Sequence, residues 1–444
     1  MVFLSPILRQ ASSAWPHPPR VIPSLLFFGS DNFSVSFLRR IIEDRDAGRL
    51  HIGEIQVVSP PDKASSRKNR TNNVTPLKQF ALEHGLTVSD APHREKTLRN
   101  WTLPAPSVAA GAFSLGIVAS FDYFITPPVL AGLEHGAINI HPSLLPQWRG
   151  ASPLQHAVIS GARSSGISIQ EVHPRRFDAG NVLAARPFDL PGARPTFAQA
   201  LDRSMAAGVP LLAEVLADFG TFRQRSVDQD DTQASLAPKF PPGTGALAWD
   251  RPATHYDRLA RGVGHQLPLW SHFRNDKGSP EPQRVVFHGG FDVVFSGPGA
   301  EVFDAEYRQQ EEPAGAEDDE SPVHWSLPVA ERQEMAAYLA GVGSRGGGSG
   351  GALVPGSAVG FRSRTKGSEY RLAIWCGPAE GEASVGTWLV PRALAPERRA
   401  KMSPTVFRSA VSTAAPNTGF TGDRFLLLQP EEGEVAATPA TANA

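Results

Sequence analysis

The densest concentration of residues able to do chemistry is the stretch Asn139-Ile140-His141-Pro142-Ser143-Leu144-Leu145-Pro146-Gln147-Trp148-Arg149-Gly150. Residues 137–141 read as a short strand, and positions two apart on a strand share a side. Asn139 and His141 therefore converge at its carboxyl end, where α/β folds place their sites. Pro142 and Pro146 stiffen the loop that follows, and Leu144 and Leu145 can supply an apolar wall beside the polar pair. A third group comes from Arg175-Arg176-Phe177-Asp178-Ala179-Gly180, where Asp178 sits in a turn that can present a carboxylate to a cleft. An amide, an imidazole and a carboxylate together suit acyl transfer to an amine. Asn and His can stabilise the developing oxyanion, while the carboxylate can orient the His and help remove the amine's proton. No nucleophilic Ser or Cys is then required. Taken singly, each residue has an ordinary structural reading: the Asn caps a turn, the His is a satisfied surface or core residue, and the Asp before Ala-Gly makes a turn.

The elements that must position this trio follow from apolar spacing. Residues 24–28 read as a strand ending at Gly29-Ser30-Asp31, and Phe33, Phe37, Leu38, Ile41 and Ile42 continue with helical spacing. Further strands are expected at 52–59, within 107–120, at 137–141 and at 166–172, with helices at 75–85 and 196–219. That alternation predicts an open α/β sheet of mostly parallel strands. The first strand-to-helix turn lacks G-x-G-x-x-G, so no dinucleotide cofactor is expected. Residues 221–247 are polar and Pro-rich, which predicts a linker. Beyond it, β-like segments at 283–288, 291–295, 370–376 and 387–391 predict a small β-barrel. An acidic run (Glu311, Glu312, Glu317, Asp318, Asp319, Glu320) and the glycine tract 341–351 predict a low-complexity insertion over 305–351 with no core of its own. The expected plan is a transit peptide or disordered segment at 1–22, a catalytic domain at 23–220, the linker at 221–247, the barrel at 248–430 and a disordered tail at 431–444.

Composition bounds the function classes. A chain of 444 residues exceeds what one core usually serves, which predicts two domains. A net charge of −1 excludes a uniformly basic coat, so any RNA contact must come from a local patch. The single cysteine, Cys376, permits neither an internal disulfide nor a Cys-based zinc site. No apolar run reaches eighteen residues, so no membrane span is expected. Arg9 and Arg20, with serines at 5, 12, 13 and 24 and no acidic residue before Asp31, carry the bias of a mitochondrial transit peptide; a ragged terminus is the plainer alternative. Residues 347–351 formally match a nucleophile elbow but lack its strand-turn-helix context. No Walker loop or zinc spacing occurs, so neither nucleotide hydrolysis nor metal catalysis is expected.

At residues 139–146 the sequence resembles the folate-dependent formyltransferases, whose Asn-x-His-(Pro or Gly)-Ser-Leu-Leu-Pro pattern stands there and whose distal aspartate matches Asp178. The resemblance implies a Rossmann-like formyltransferase domain followed by a small OB-like β-barrel. It implies 10-formyltetrahydrofolate as formyl donor with no metal, and a catalytic trio of Asn139, His141 and Asp178. It places Ser143, Leu144, Leu145 and Pro146 against the reduced folate, and Ser120, Phe121, Asp122 and Tyr123 in the strand-end loop that lines the pterin pocket. It covers most of residues 24–220 and is patchy beyond. Residues 148–155 look like the tRNA-modifying branch, as do echoes at Lys239, Trp249-Asp250, 353–356 and Lys401, and the 174–178 turn resembles mitochondrial members. That branch implies transfer to the amino group of methionine on initiator Met-tRNA in the mitochondrial matrix, with no protein partner. Glycinamide ribonucleotide, an amino sugar or water are the alternative acceptors, and an inactive RNA-binding relative is the alternative of another class. The basic stretch with Lys63, Arg67, Lys68 and Arg70 alone reads as a solvated loop; the resemblance implies that it enters the acceptor stem, with Arg67 as the stem-contacting arginine. Two positions depart from the family pattern: Asn181 stands where bacterial members often carry Asp, and Arg176 where a Gly is often found.

Overall fold

The computed structural model describes residues 21–64, 72–93, 95–107, 112–192, 194–274, 283–309, 329–344, 357–362, 370–396 and 424–428. The readings that rest on residues 1–20, Arg67, Lys68, Arg70, the acidic run, 353–356, Lys401 and the 431–444 tail lie outside the described residues. The chain divides into two compact units. One comprises Met1–Leu154, Ser164–Asp189 and Leu201–Lys239; the other comprises Gln155–Arg163, Leu190–Ala200 and Phe240–Ala444. Residues 221–239, polar enough to read as linker, lie in the first unit. Their polarity has a structural use, because several of these side chains hydrogen-bond the candidate site described below.

In chain order the first stretch carries β1 (Val21–Gly29), α1 (Asn32–Asp46), β2 (His51–Ser59), the short hairpin β3 (Lys63–Ala64) and β4 (Asn72–Asn73), α2 (Pro76–Glu83) and β5 (Thr87–Asp90). There follow β6 (Leu115–Ala119), α3 (Pro127–Ala131), β7 (Ala137–His141), α4 (Pro153–Ser160), β8 (Ser164–Glu171), β9 (Val182–Asp189), α5 (Phe197–Ala217) and α6 (Phe219–Gln224). Seven strands form one sheet in the order β5-β2-β1-β6-β7-β8-β9. The first five are parallel, and β8 and β9 each run antiparallel to the strand before them. From β1 the chain builds outward through β2 and β5, then returns to build the other way from β6. The switch point therefore falls between β1 and β6, and ligand crevices in such sheets open at the carboxyl ends there.

Local sequence explains these elements. Leu25, Leu26, Phe27 and Phe28 are all fully buried, because successive residues point to opposite faces and both faces are covered. Leu25 and Phe27 join a core with Phe37, Leu38 and Ile41 of α1 and Leu212 and Val215 of α5. Leu26 and Phe28 join a second core with Val118, Tyr123 and Val129. Asp31 caps α1 by accepting from the Ser34 N–H at 3.1 Å. Thr75 caps α2 in the same way, with Pro76 in its first turn. Truncating a fully buried aromatic such as Phe37 to Ala would cost about 3–5 kcal/mol.

The second unit holds α7 (Ala253–Val263), β10 (Leu269–Arg274), β11 (Gln283–Ser296), α8 (Ala300–Gln309) and α9 (Val329–Ser344), then β12 (Ser357–Arg362), β13 (Tyr370–Ala379), β14 (Glu382–Pro396) and β15 (Arg424–Leu428). Its strands close into a barrel in the order β10-β11-β14-β13-β12-β15, with every pairing antiparallel. Residues 283–288 and 291–295, read from sequence as two strands, form one. Gly289 and Gly290 take φ of 73° and 80° where the register shifts between His288 and Phe291, so the glycines make a bulge and not a break. Val293 packs in a cluster with Tyr256 and Leu259 of α7, and its neighbour Val294 in one with Met335 and Leu339 of α9. The expected insertion over 305–351 thus contains a helix that buries apolar side chains.

Candidate active site

Antiparallel pairing of β7 with β8 sets Asn139 opposite Gln170 and His141 opposite Ser168. The intervening Ile138, Ile140, Ile167 and Ile169 all point into the main core, so the four polar side chains emerge together on the other face. Ser168 and Gln170 are polar residues buried to 0% and 1% exposure. Burial of that kind requires hydrogen-bond partners, and these two find theirs in the site.

Asp178 reaches this cluster from the turn after β8. His173 Nδ1 accepts the N–H groups of Arg175 and Arg176 at 3.1 and 3.0 Å and shapes the turn's start. Burial, followed by the charges of Arg176 and Arg175, lowers the pKa of that ring, with Asp231 opposing, which favours the neutral form an acceptor nitrogen needs. At the far end a Cβ on Gly180 would run into the carbonyl of Glu171, so only glycine fits. Asp178 itself has φ of 49°, and its carboxylate meets three N–H donors. Oδ1 accepts from Asn139 Nδ2 at 3.1 Å and from Gln170 Nε2 at 2.9 Å, and Oδ2 from the backbone N–H of Gly150 at 2.9 Å. His141 Nδ1 lies 3.5 Å from Oδ1.

The ring of His141 is oriented from its other side. Nε2 lies 2.9 Å from Trp148 O, and a carbonyl can only accept, so Nε2 carries the hydrogen and Nδ1 is the nitrogen turned to Asp178. Trp148 is fixed in turn by its N–H, which donates to Ser235 Oγ at 2.9 Å. Gln229 closes the back of the site. Its Nε2 lies 3.0 Å from Asp178 O, 2.7 Å from Gly180 O and 3.1 Å from Gln170 Oε1, while its Oε1 accepts from Arg149 Nε at 2.9 Å. Arg149 and Arg176 both pair with Asp231 at 2.8 Å. Ser120, Trp148 and Asp178 are three of the four non-glycine residues with left-handed backbone among the described residues. Such conformations cost roughly 1–3 kcal/mol each and persist where the surroundings over-determine them; at Trp148 and Asp178 the network above does so.

The structure brings Asn139, His141 and Asp178 together, and it separates the residues expected to face the folate into two groups. Tyr123 is buried, with its hydroxyl donating to Pro92 O at 3.1 Å; burial first, then the charges of Asp122 and Asp90, raise its pKa. Ser143 is buried and donates to Gln147 O at 2.6 Å. Both side chains are engaged by the fold. Ser120, Phe121, Leu144, Leu145 and Pro146 are half-buried and Asp122 is exposed. Phe121 lies between Phe28 and Tyr123, at 5.4 and 4.9 Å between ring centroids. Asp122 faces Lys96 at 3.3 Å and Lys239 at 3.8 Å. The loop after His141 is tied down by Ser168, whose Oγ donates to Ser143 O at 2.7 Å and accepts from the Leu145 N–H at 3.1 Å. Lys63 lies in β3, paired with Asn73 of β4. Sequence reading missed Gln170, Gln229 and Gly150. It also missed Phe177, which is 66% exposed beside Asp178 with its ring 5.1 Å from that of Phe124.

An amide, an imidazole and a carboxylate thus stand together at a strand end of an open, mostly parallel sheet, with no Ser, Thr or Cys among the three. Comparison with known proteins specifies the class. The formyl transferase family model matches residues 24–191. Over 258 residues the chain is 31% identical to the methionyl-tRNA formyltransferase of Methylococcus capsulatus, covering 56% of this chain and 79% of that one. Over 248 residues it is 29% identical to the mitochondrial methionyl-tRNA formyltransferase of Homo sapiens, covering 55% and 58%. A solved sugar 3N-formyl transferase overlays with a TM-score of 0.39 at 12% identity, over 60% of this chain and 93% of that one. The chain belongs to the methionyl-tRNA formyltransferase family. It spans just over half the length of the human relative, 58%.

Proposed function

We propose that this protein transfers the formyl group of 10-formyltetrahydrofolate to the amino group of methionine esterified to initiator tRNA, in the mitochondrial matrix. The observation that carries the reading is the assembled Asn139, His141 and Asp178 cluster in a chain of this family. The amine attacks the formyl carbon, a tetrahedral intermediate forms, and the bond from that carbon to N10 breaks as tetrahydrofolate leaves. One proton moves overall from the amine to N10. Asn139 gives one amide N–H to Asp178, and its second can donate to the developing oxyanion. His141 gives Nε2–H to Trp148 O, so its share in stabilising that oxygen requires exchanging one acceptor for the other. Asp178 receives the amine's proton, which then lies between its Oδ1 and the acceptor Nδ1 of His141, 3.5 Å apart, and returns it toward N10.

The half-buried Ser120, Phe121, Leu144, Leu145 and Pro146 form the folate wall, with the fully engaged Tyr123 and Ser143 supporting it from behind. Residues 23–220 act as the catalytic domain. Lys63, Arg67, Lys68 and Arg70 neutralise acceptor-stem phosphates, and the barrel at 248–430 is a platform for the rest of the tRNA. The mitochondrial relatives and the acid-free, Arg- and Ser-containing N-terminus support the compartment. Formyl transfer from labelled 10-formyltetrahydrofolate, offered to Met-tRNA, to glycinamide ribonucleotide and to no acceptor, tests the reading. Transfer to Met-tRNA alone, abolished by Asp178→Ala, is expected. Transfer to another acceptor would move the protein to a different branch, and tRNA binding without transfer would sink the enzymatic reading.

A further inference from the structure

The second unit contains a cavity of about 260 Å³, and every residue lining it belongs to that unit. Its lining includes three arginines, Arg163, Arg258 and Arg261, and one acidic residue, Glu380. The charges there do not balance. Arg261 is committed elsewhere: it donates to Asp257 Oδ2 at 2.9 Å and to Pro195 O at 2.5 Å, and Asp257 is shared with Arg194. Among the described residues Arg258 forms one ion pair, with Glu380 at 3.8 Å on a side chain that is 82% exposed, a pairing that water largely screens. The Nε of Arg258 is buried without a hydrogen-bond partner. Its NH1 lies against the backbone of Gly161, where φ of 77° and the absence of a Cβ permit that approach. Burial lowers the pKa of Arg258 and Arg261 adds to this, while Glu380, Asp257 and Tyr307 oppose it. Arg163 is exposed and adds a further positive charge. Thr254 contributes the first turn of α7 to the wall, a turn with no acidic residue and the positive end of the helix dipole. Phe295 and Phe303 line the cavity as well.

We propose that this cavity is an anion site that binds a phosphate dianion, anchored by Arg258 and assisted by Arg163. A planar guanidinium fork matches the oxygens of phosphate in a bidentate arrangement, and two charges on the ligand meet Arg163 and Arg258, for which the described residues supply only the exposed Glu380 as an ion-pair partner. The dianion comes either from orthophosphate or from a phosphate monoester whose organic part rests on the phenylalanines. The test is thermal unfolding of the full chain across an orthophosphate titration, with chloride at matched ionic strength as the reference. A saturable rise of a few degrees is expected. It should persist in Asp178→Asn and be lost in Arg258→Gln. Arg163→Ala, at an exposed position, should weaken it at least several-fold without changing the midpoint in chloride, which keeps the test decisive if Arg258→Gln does not fold. Adenosine monophosphate separates the two sources: tighter binding than orthophosphate assigns the monoester, and weaker binding assigns the free ion. No saturable rise with either, or a rise that both arginine variants leave intact, overturns the site.

Discussion

Asp178 in the first unit and Asp257 in the second are both surrounded by donors, in opposite ways. Asp178 is held by two side-chain amides and a backbone N–H, all neutral. Asp257 is held by two cations: Oδ1 accepts from Arg194 at 2.7 Å, and Oδ2 accepts from Arg261 at 2.9 Å and from the Tyr307 hydroxyl at 3.1 Å. Burial alone would raise the pKa of Asp257, but the charges and hydrogen bonds of Arg194 and Arg261 outweigh it and hold the group down at about 2. Neutral donors fix a carboxylate's position and leave its charge uncancelled, whereas arginines cancel the charge and lock it in place. Exposure follows the same division, with 11% of the Asp178 side chain open and 1% of Asp257. The first environment is compatible with the role proposed for Asp178; the second suits a group that holds a fold together.

The largest break in this contrast should come from Asp178→Asn, which keeps the size and removes the charge. Formyl transfer should fall roughly 10²- to 10⁴-fold, while the urea midpoint stays close to that of the wild type; an unchanged rate would move the chemistry away from Asp178. The matching change, Asp257→Asn, removes the buried charge that Arg194 and Arg261 share and should remove about 3–5 kcal/mol from the second unit. Urea unfolding followed by tryptophan fluorescence reads it, since Trp249 and Trp388 are fully buried in that unit. Formyl transfer per folded molecule should survive. A rate loss equal to that of Asp178→Asn, without loss of stability, would erase the distinction.

Acid should expose the same difference at smaller size. The pKa of Asp257 is depressed on folding, from an ordinary 3.8 to about 2. Its stabilising effect is therefore complete above the unfolded value and is lost as pH falls through the folded one, a change of about 2–3 kcal/mol. The stability gap between wild type and Asp257→Asn should shrink as pH drops from 4 to 2, which unfolding midpoints across that range would show; a constant gap would mean that the ion pairs are not its source. Asp44 in the first unit shifts in the same direction. Burial opposes ionisation there, and hydrogen bonds from Arg40 and Arg49 overcome it, so acid should weaken that unit as well, in a way Asp257→Asn leaves unaltered.

Much of this arrangement was legible in the sequence where a local pattern carries it. The apolar runs of β1 and the helical spacing of α1 are strong because both faces of the sheet are covered. Asn139 and His141 stood out as polar residues at the end of an apolar strand. Gln170 looked like an ordinary strand residue, because its role depends on an antiparallel register that sets it opposite Asn139. Gln229 was hidden for a different reason: it bonds Asp178 from 51 residues further along the chain, in a segment whose polarity alone reads as linker. In β11 the pair Gly289-Gly290 resembled punctuation, and only pairing with β14 on both sides reveals a bulge. In α9, low-complexity sequence on either side concealed a helix that buries Met335 and Leu339. Asp257 escaped notice because nothing in its neighbourhood distinguishes a paired buried carboxylate from a solvated one.

Gln170 offers the finest test, because it changes what surrounds Asp178 without touching the carboxylate. Gln170→Leu keeps most of the volume and removes one of two donors to Oδ1, while the Gly180 N–H loses its acceptor. The expected cost is about 1–2 kcal/mol. If Gln170 only supports the fold, the loss appears in the urea midpoint; if it positions Asp178, the loss appears in kcat more than in KM. Gln170→Glu separates these more sharply, since it sets a second carboxylate beside the first and two such groups cannot both ionise easily. Its rate relative to wild type should be lowest at high pH and should recover as pH falls and a proton is shared between the pair. A deficit independent of pH would show that the neutrality of the donors around Asp178 is incidental to its work.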